Sequence, residues 1–173
     1  MKTIGGAALA ILMLAMFAQI QVSAQVLEEV PLEQSRGIVG AWRTVVTPRN
    51  CQTGLPVAPA SRGLLTFNEG GTLAEYNSPG PNPALRSPGH GVWEQRSGGG
   101  RIYSSVFRNY SSVFVINRYD ASGVFISSQK IRTALELSAD GNGFTTNAAI
   151  EIFDANDNLI GTGCATAVGT RIE

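Results

Sequence analysis

The chain has 173 residues, with 13 basic and 13 acidic side chains and a single histidine. Such a balance leaves no electrostatic footprint for nucleic acid or for an anionic membrane surface. The 20 glycines and 8 prolines, set among many Ser and Thr, suit strands and turns better than helices.

Residues 1–24 read as a secretory signal peptide. Lys2 supplies the positive end, Ile4–Ile20 the apolar stretch, and Val22-Ser23-Ala24 a small-residue cleavage site before Gln25. The apolar stretch is short of a full membrane span and leads straight into that site, so no membrane span is expected after cleavage. The expected location is secreted or periplasmic. Residues 25–37, with Glu28, Glu29, Glu33 and Pro31, read as a polar tether, and 38–173 as one domain, long enough for a hydrophobic core of its own.

From Ile38 onward strand and turn signals alternate at short intervals. The expected strands are Ala41–Thr47, stopped by Pro48, then Gly63–Asn68 and Thr72–Asn77 around Glu69-Gly70-Gly71. The stretch Ser78–His90, with Pro79, Pro81, Pro83 and Pro88, is the longest irregular one. Gly91–Arg96 and Arg101–Arg108 form a second hairpin around Ser97–Gly100, and Val113–Tyr119 leads into Val124–Leu137. Phe144–Phe153 and Leu159–Ile172 complete the set. Short turns imply antiparallel neighbours. Eight or nine strands in up-and-down order predict an all-β fold, a closed antiparallel β-barrel that leaves no sheet edge exposed.

Period-two alternation assigns the faces. Phe144, Ala148, Ile150 and Ile152 share one face, as do Ile131, Leu135 and Leu137, with polar residues between them. The last strand carries Gly161, Gly163, Ala165, Ala167 and Gly169 on one face. Facing inward, such a row either leaves space in the lumen, or is filled by a large side chain opposite, or lets the strand bend.

Cys51 and Cys164 are the only two cysteines, and an exported chain is expected to oxidise them to a disulfide. If Cys51 lies directly opposite Cys164 on antiparallel first and last strands, Arg171 falls opposite Thr44. Trp42 and Arg171 then share the inner face, and both cysteines lie on the outer one. Gly40-Ala41-Trp42 on the first strand, with Arg171 on the last, resembles the G-x-W and closing arginine of the lipocalin-like and wider calycin barrels. The resemblance implies a barrel-end pair in which the indole plugs one end and the guanidinium lies across it. It covers most of Ile38–Glu173 as architecture, but its specific motif is those three residues. The late helix of lipocalins is missing, and an allene-oxide-cyclase-like barrel is equally compatible.

No catalytic constellation is present. His90, the lone histidine, lies in Arg86-Ser87-Pro88-Gly89-His90-Gly91 without a nucleophile elbow. Asp154, Asn156 and Asp157 lack the glycine and distal glutamate of a calcium loop and read as a strand-to-strand turn. No metal, no cofactor and no catalytic residue is assigned. Phe67, Tyr76, Trp93, Tyr103 and Phe107 are candidate lining residues of an apolar pocket, with Arg86 and His90 as polar groups able to orient a ligand. Ser78–His90 is the candidate recognition loop.

The expected activity is binding of a small hydrophobic molecule, with no nucleic-acid partner and no assigned oligomeric state. The alternatives are an allene-oxide-cyclase- or dirigent-like enzyme and a structural or protein-binding barrel without a small-molecule site. A carboxylate facing a deep cavity, at Glu75 or Glu94, is what separates the enzyme from the others.

Overall fold

In a computed structural model, which describes residues 37–77, 85–96 and 108–173, eight antiparallel strands close on themselves in sequence order. They are β1 (Gly40–Arg49), β2 (Ser61–Phe67), β3 (Thr72–Asn77), β4 (Gly89–Gln95), β5 (Arg108–Tyr119), β6 (Phe125–Leu137), β7 (Gly143–Asp154) and β8 (Leu159–Arg171). Every neighbouring pair is antiparallel, and β1 pairs with β8 to seal the cylinder. The signal segment and most of the tether lie outside the described residues, as does all of Arg101–Arg108 except Arg108.

The expected break between Arg108 and Val113 is not there. Asn109-Tyr110-Ser111-Ser112 has the composition of a turn, yet it continues β5. Tyr110 and Ser112 are both buried, and they sit opposite Leu135 and Thr133 of β6. Burial of the Tyr110 ring and a hydrogen bond between the Ser112 and Thr133 hydroxyls (Oγ–Oγ1 2.7 Å) outweigh the local turn preference. β4 pairs with β3 on one side and, through His90–Gln95, with this strand on the other.

Pro48 does not stop β1 either. The β1–β2 ladder ends at Val46–Ser61; beyond it β1 runs beside β8, where Pro48 faces Ala165, and on its other side makes only an isolated bridge from Arg49 to Pro56. A proline without an N–H is tolerated where one side of its strand has no ladder to supply.

Cys51 and Cys164 are bonded, with Cα atoms 5.2 Å apart. The register differs from direct opposition by two residues. Arg49 faces Cys164, Trp42 faces Arg171, and Cys51 lies past the end of β1 in the following turn. A slip of two preserves every face, because side chains alternate with period two. Trp42 and Arg171 therefore still share the inner face. A disulfide of this kind weakly favours an oxidising location outside the cytoplasm.

Three β-turns are held by an aspartate each. Asp120 accepts from the Ser122 and Val124 amides, Asp140 from Asn142, and Asp154 from Asn156 and Asn158. Such Asx turns fix tight links between long strands, and the Asp154–Asn158 run is one of them.

Candidate functional site: the barrel lumen

The β2–β3 and β6–β7 links lie at the same end of the barrel as the start of β1, and this end is packed shut. Trp42 is fully buried and donates its indole N–H to the Ile38 carbonyl at 2.9 Å. Its ring meets Phe144 edge-on at 4.9 Å, Phe144 meets Phe67 at 6.3 Å, and Phe67 meets Trp93 at 6.0 Å. The Arg171 guanidinium lies 4.2 Å from the centre of the Trp42 ring. It donates to the carbonyls of Gly141, Val39 and Gly37 at 2.9, 2.8 and 2.7 Å. One cation thus ties the chain entering β1 to the β6–β7 turn. Gly40 is obligatory in this arrangement. Its φ is +133°, and a Cβ there would sit 2.7 Å from Arg171 Nη1.

The other end encloses a cavity of about 220 Å³. An eight-stranded barrel is just wide enough to be filled by side chains or to hold one small molecule. Here the aromatic plug fills the first half and small residues leave the second half open. Phe67, Phe114, Ile131, Leu135 and Phe144 form the apolar floor, and Ala148, Ala165 and Ala167 form part of the wall. The small-residue face of β8 is thus divided. Phe144 packs directly onto Gly169, so that position is filled from the opposite strand, and Gly161 and Gly163 lie against Ile152 and Ile150. Ala165 and Ala167 border open space.

A band of polar groups reaches into the same cavity. Arg86 Nη2 donates to both oxygens of Glu75, at 3.1 and 2.8 Å, with both side chains about nine-tenths buried. Burial is the larger influence on Glu75 and raises its carboxyl above the ordinary 4.5, against the pull of the Arg86 charge and hydrogen bond. Arg86 is fixed from outside the strands. It forms an isolated bridge with Arg118 of β5, and Ser87 donates its amide to the Asn117 carbonyl at 2.9 Å while accepting from the Asn117 amide at 2.9 Å. Thr44, Asn77, Ser112, Arg118, Gln129, Thr133 and Thr146 also border the cavity. Among the described residues, Asn77 Oδ1 is the one buried side-chain polar atom without a hydrogen-bond partner.

Of the candidate pocket residues, Phe67 and Arg86 border this cavity. Tyr76 and His90 do not. Both are exposed on the outer face, because they alternate with inward-facing Glu75, Asn77, Gly89 and Gly91. Trp93 belongs to the plug, meeting Phe67 and Tyr110 edge-on and donating to the Asn68 carbonyl. Tyr103 and Phe107 lie outside the described residues, as do residues 78–84 of the candidate loop. Of the two carboxylates weighed, Glu75 faces the cavity, whereas Glu94 is exposed and accepts from Ser111. The candidate list omitted Asn77 and Arg118. Both were legible as inward positions once the alternation of Leu73, Glu75, Asn77 and of Phe114, Ile116, Arg118 was taken at its word.

Compared with protein-family models, curated proteins and solved structures, the chain finds no match. The geometry of the lumen therefore carries the functional argument.

Proposed function

We propose that this protein is an exported, calycin-like barrel that binds one small, mainly hydrophobic molecule in its lumen. The cavity of about 220 Å³, with an apolar floor and polar groups confined to one band, carries that reading. Its size falls below the roughly 300–1,000 Å³ of drug-sized pockets, so the ligand is small. The Cys51–Cys164 bond and the apolar, cleavable N-terminus support export. The outer face exposes Arg43, Arg62, Arg132 and Glu136, the reverse of the lipid-facing band of a membrane barrel, which supports a protein in aqueous surroundings.

Calorimetric titration with octan-1-ol and 1-naphthol tests the reading. Binding should carry a negative heat-capacity change, the mark of apolar burial, and should be lost in Ala167→Leu, which places a branched side chain in the cavity. Absence of heat for both probes, with the disulfide intact, rules the reading out.

The Glu75 carboxyl supports a second reading, an enzyme resembling allene oxide cyclase or dirigent barrels that steers a reactive apolar substrate. A buried acid with a raised pKa beside a cavity is the type of group that serves as acid or base. Under this reading, a panel of fatty epoxides is isomerised by the wild type and untouched by Glu75→Gln. Equal recovery of unchanged epoxide from both proteins excludes it.

A further inference from the structure

We infer that the lumen is built for an acid: a short amphipathic carboxylate with its anionic head at Arg118 and its tail on the Phe114–Ile131–Leu135 floor. This inference rests on the ligand-binding reading above and names the class of ligand.

The charge inventory of the cavity points there. The described charged side chains that border it are Glu75, Arg86 and Arg118. Glu75 and Arg86 neutralise one another through two hydrogen bonds. Arg118 is half-buried and, among the described residues, its guanidinium makes neither an ion pair nor a hydrogen bond. The lumen is therefore left with one uncompensated positive charge beside an apolar floor. Taking a guanidinium partly out of water without a partner is unfavourable, and an entering carboxylate relieves that cost by a charge-assisted, bidentate contact.

Asn77 supplies a second, independent requirement. It is about nine-tenths buried, borders the same cavity, and its Oδ1 has no donor. A buried acceptor left unsatisfied costs about 1–3 kcal/mol. A hydroxyl on the ligand removes that cost, so a hydroxylated acid fits better than the plain acid. A neutral hydrocarbon satisfies neither group. A cationic ligand meets a lumen already positive.

The test uses the oxidised protein at neutral pH, with octanoate, octan-1-ol and 3-hydroxyoctanoate titrated in turn. A hydrogen bond to a charged group contributes about 1.5–3 kcal/mol, so octanoate should bind on the order of 10- to 100-fold more tightly than octan-1-ol. That advantage should vanish in Arg118→Gln, the acid then binding no more tightly than the alcohol. The hydroxy acid should exceed octanoate several-fold, and lose that margin in Asn77→Ala. Equal affinity of acid and alcohol in the wild type overturns the inference while leaving hydrophobic binding intact. Failure of all three to bind overturns the functional reading itself. Because the acid–alcohol comparison needs only the wild type, it decides the matter even if Arg118→Gln does not fold.

Discussion

At the closed end of the barrel Arg171 commits its guanidinium to three backbone carbonyls and the Trp42 ring. At the open end Arg118 borders a cavity, and its guanidinium has no ion-pair or hydrogen-bond partner among the described residues. Both arginines project from the inner face of a strand. The difference is what surrounds them: Arg171 meets the carbonyls of the chain before β1 and of the β6–β7 turn, whereas Arg118 borders the open volume of the cavity. The same contrast holds for the neutral groups. The Trp42 N–H is satisfied by the Ile38 carbonyl, while Asn77 Oδ1 has no donor. One end of the cylinder is finished as a core, and the other is left chemically open.

The largest expected effect separates the two ends directly. Trp42→Ala removes the fully buried centre of the plug and should cost about 3–5 kcal/mol, read as a lower urea midpoint at unchanged slope. A loss within about 0.5 kcal/mol, the range of ordinary surface changes, would mean that the aromatic end does not hold the barrel.

Removing the disulfide in Cys51→Ser/Cys164→Ser comes next. The bond spans a sequence separation of 113, and such a loop gives about 2–4 kcal/mol in typical measurements. The loss should appear in the urea midpoint, with Trp42 still shielded from a fluorescence quencher, because the bridge lies at the opposite end of β1. Equal exposure of Trp42 in the reduced variant would show that the two ends do not hold independently.

Glu75 gives a pH signature of smaller size. Its carboxyl is raised above 4.5 by burial, so as pH rises the unfolded chain gives up this proton before the folded one. Its contribution to stability is full below pH 4.5 and is lost as pH climbs through the folded value. The stability of the wild type relative to Glu75→Gln should therefore fall as pH rises above 4.5. Asp120, Asp140 and Asp154 act in the opposite sense, their values lowered from 3.8 by turn hydrogen bonds. Their contribution is lost as pH drops below 3.8, outside that window. A flat difference between wild type and variant would mean that Arg86 cancels the effect of burial.

Ala167→Leu should have the smallest effect on stability. A side chain entering existing space changes stability by less than about 1 kcal/mol, whereas overpacking a filled core costs about 1–3 kcal/mol. Equilibrium urea unfolding distinguishes the two, and a cost in the upper range would contradict an open lumen.

Much of this architecture was legible before any coordinates. Alternation in Phe144–Ile152 and Ile131–Leu137 marked the inner face, and the Asp- and Gly-bearing turns marked the strand ends. Period two made the shared face of Trp42 and Arg171 robust to a two-residue error in register. Composition misled at Asn109–Ser112 and at Pro48, where partners distant in sequence, Leu135 and Thr133 in one case and Ala165 in the other, decided the local conformation. The site was less legible. Tyr76 and His90 looked like lining residues by type, yet parity places them outside, whereas Asn77 and Arg118 face in.

Sequence by itself pointed to a closed antiparallel barrel, a disulfide between its two cysteines, and Trp42 and Arg171 on one inner face. The barrel, the disulfide and the shared face follow from alternation, turn chemistry and cysteine count, all local properties of the chain. The contact of indole and guanidinium was implied by the resemblance of Gly40, Trp42 and Arg171 to calycin barrels. Only the tertiary structure decided where the lumen is filled and where it is empty. Phe144 fills the space at Gly169 and nothing fills it at Ala165 and Ala167. It alone also decided that Glu75 finds Arg86 while Arg118 finds no partner among the described residues. Volume and charge compensation depend on which side chains meet across the barrel, and residues far apart in sequence set that meeting.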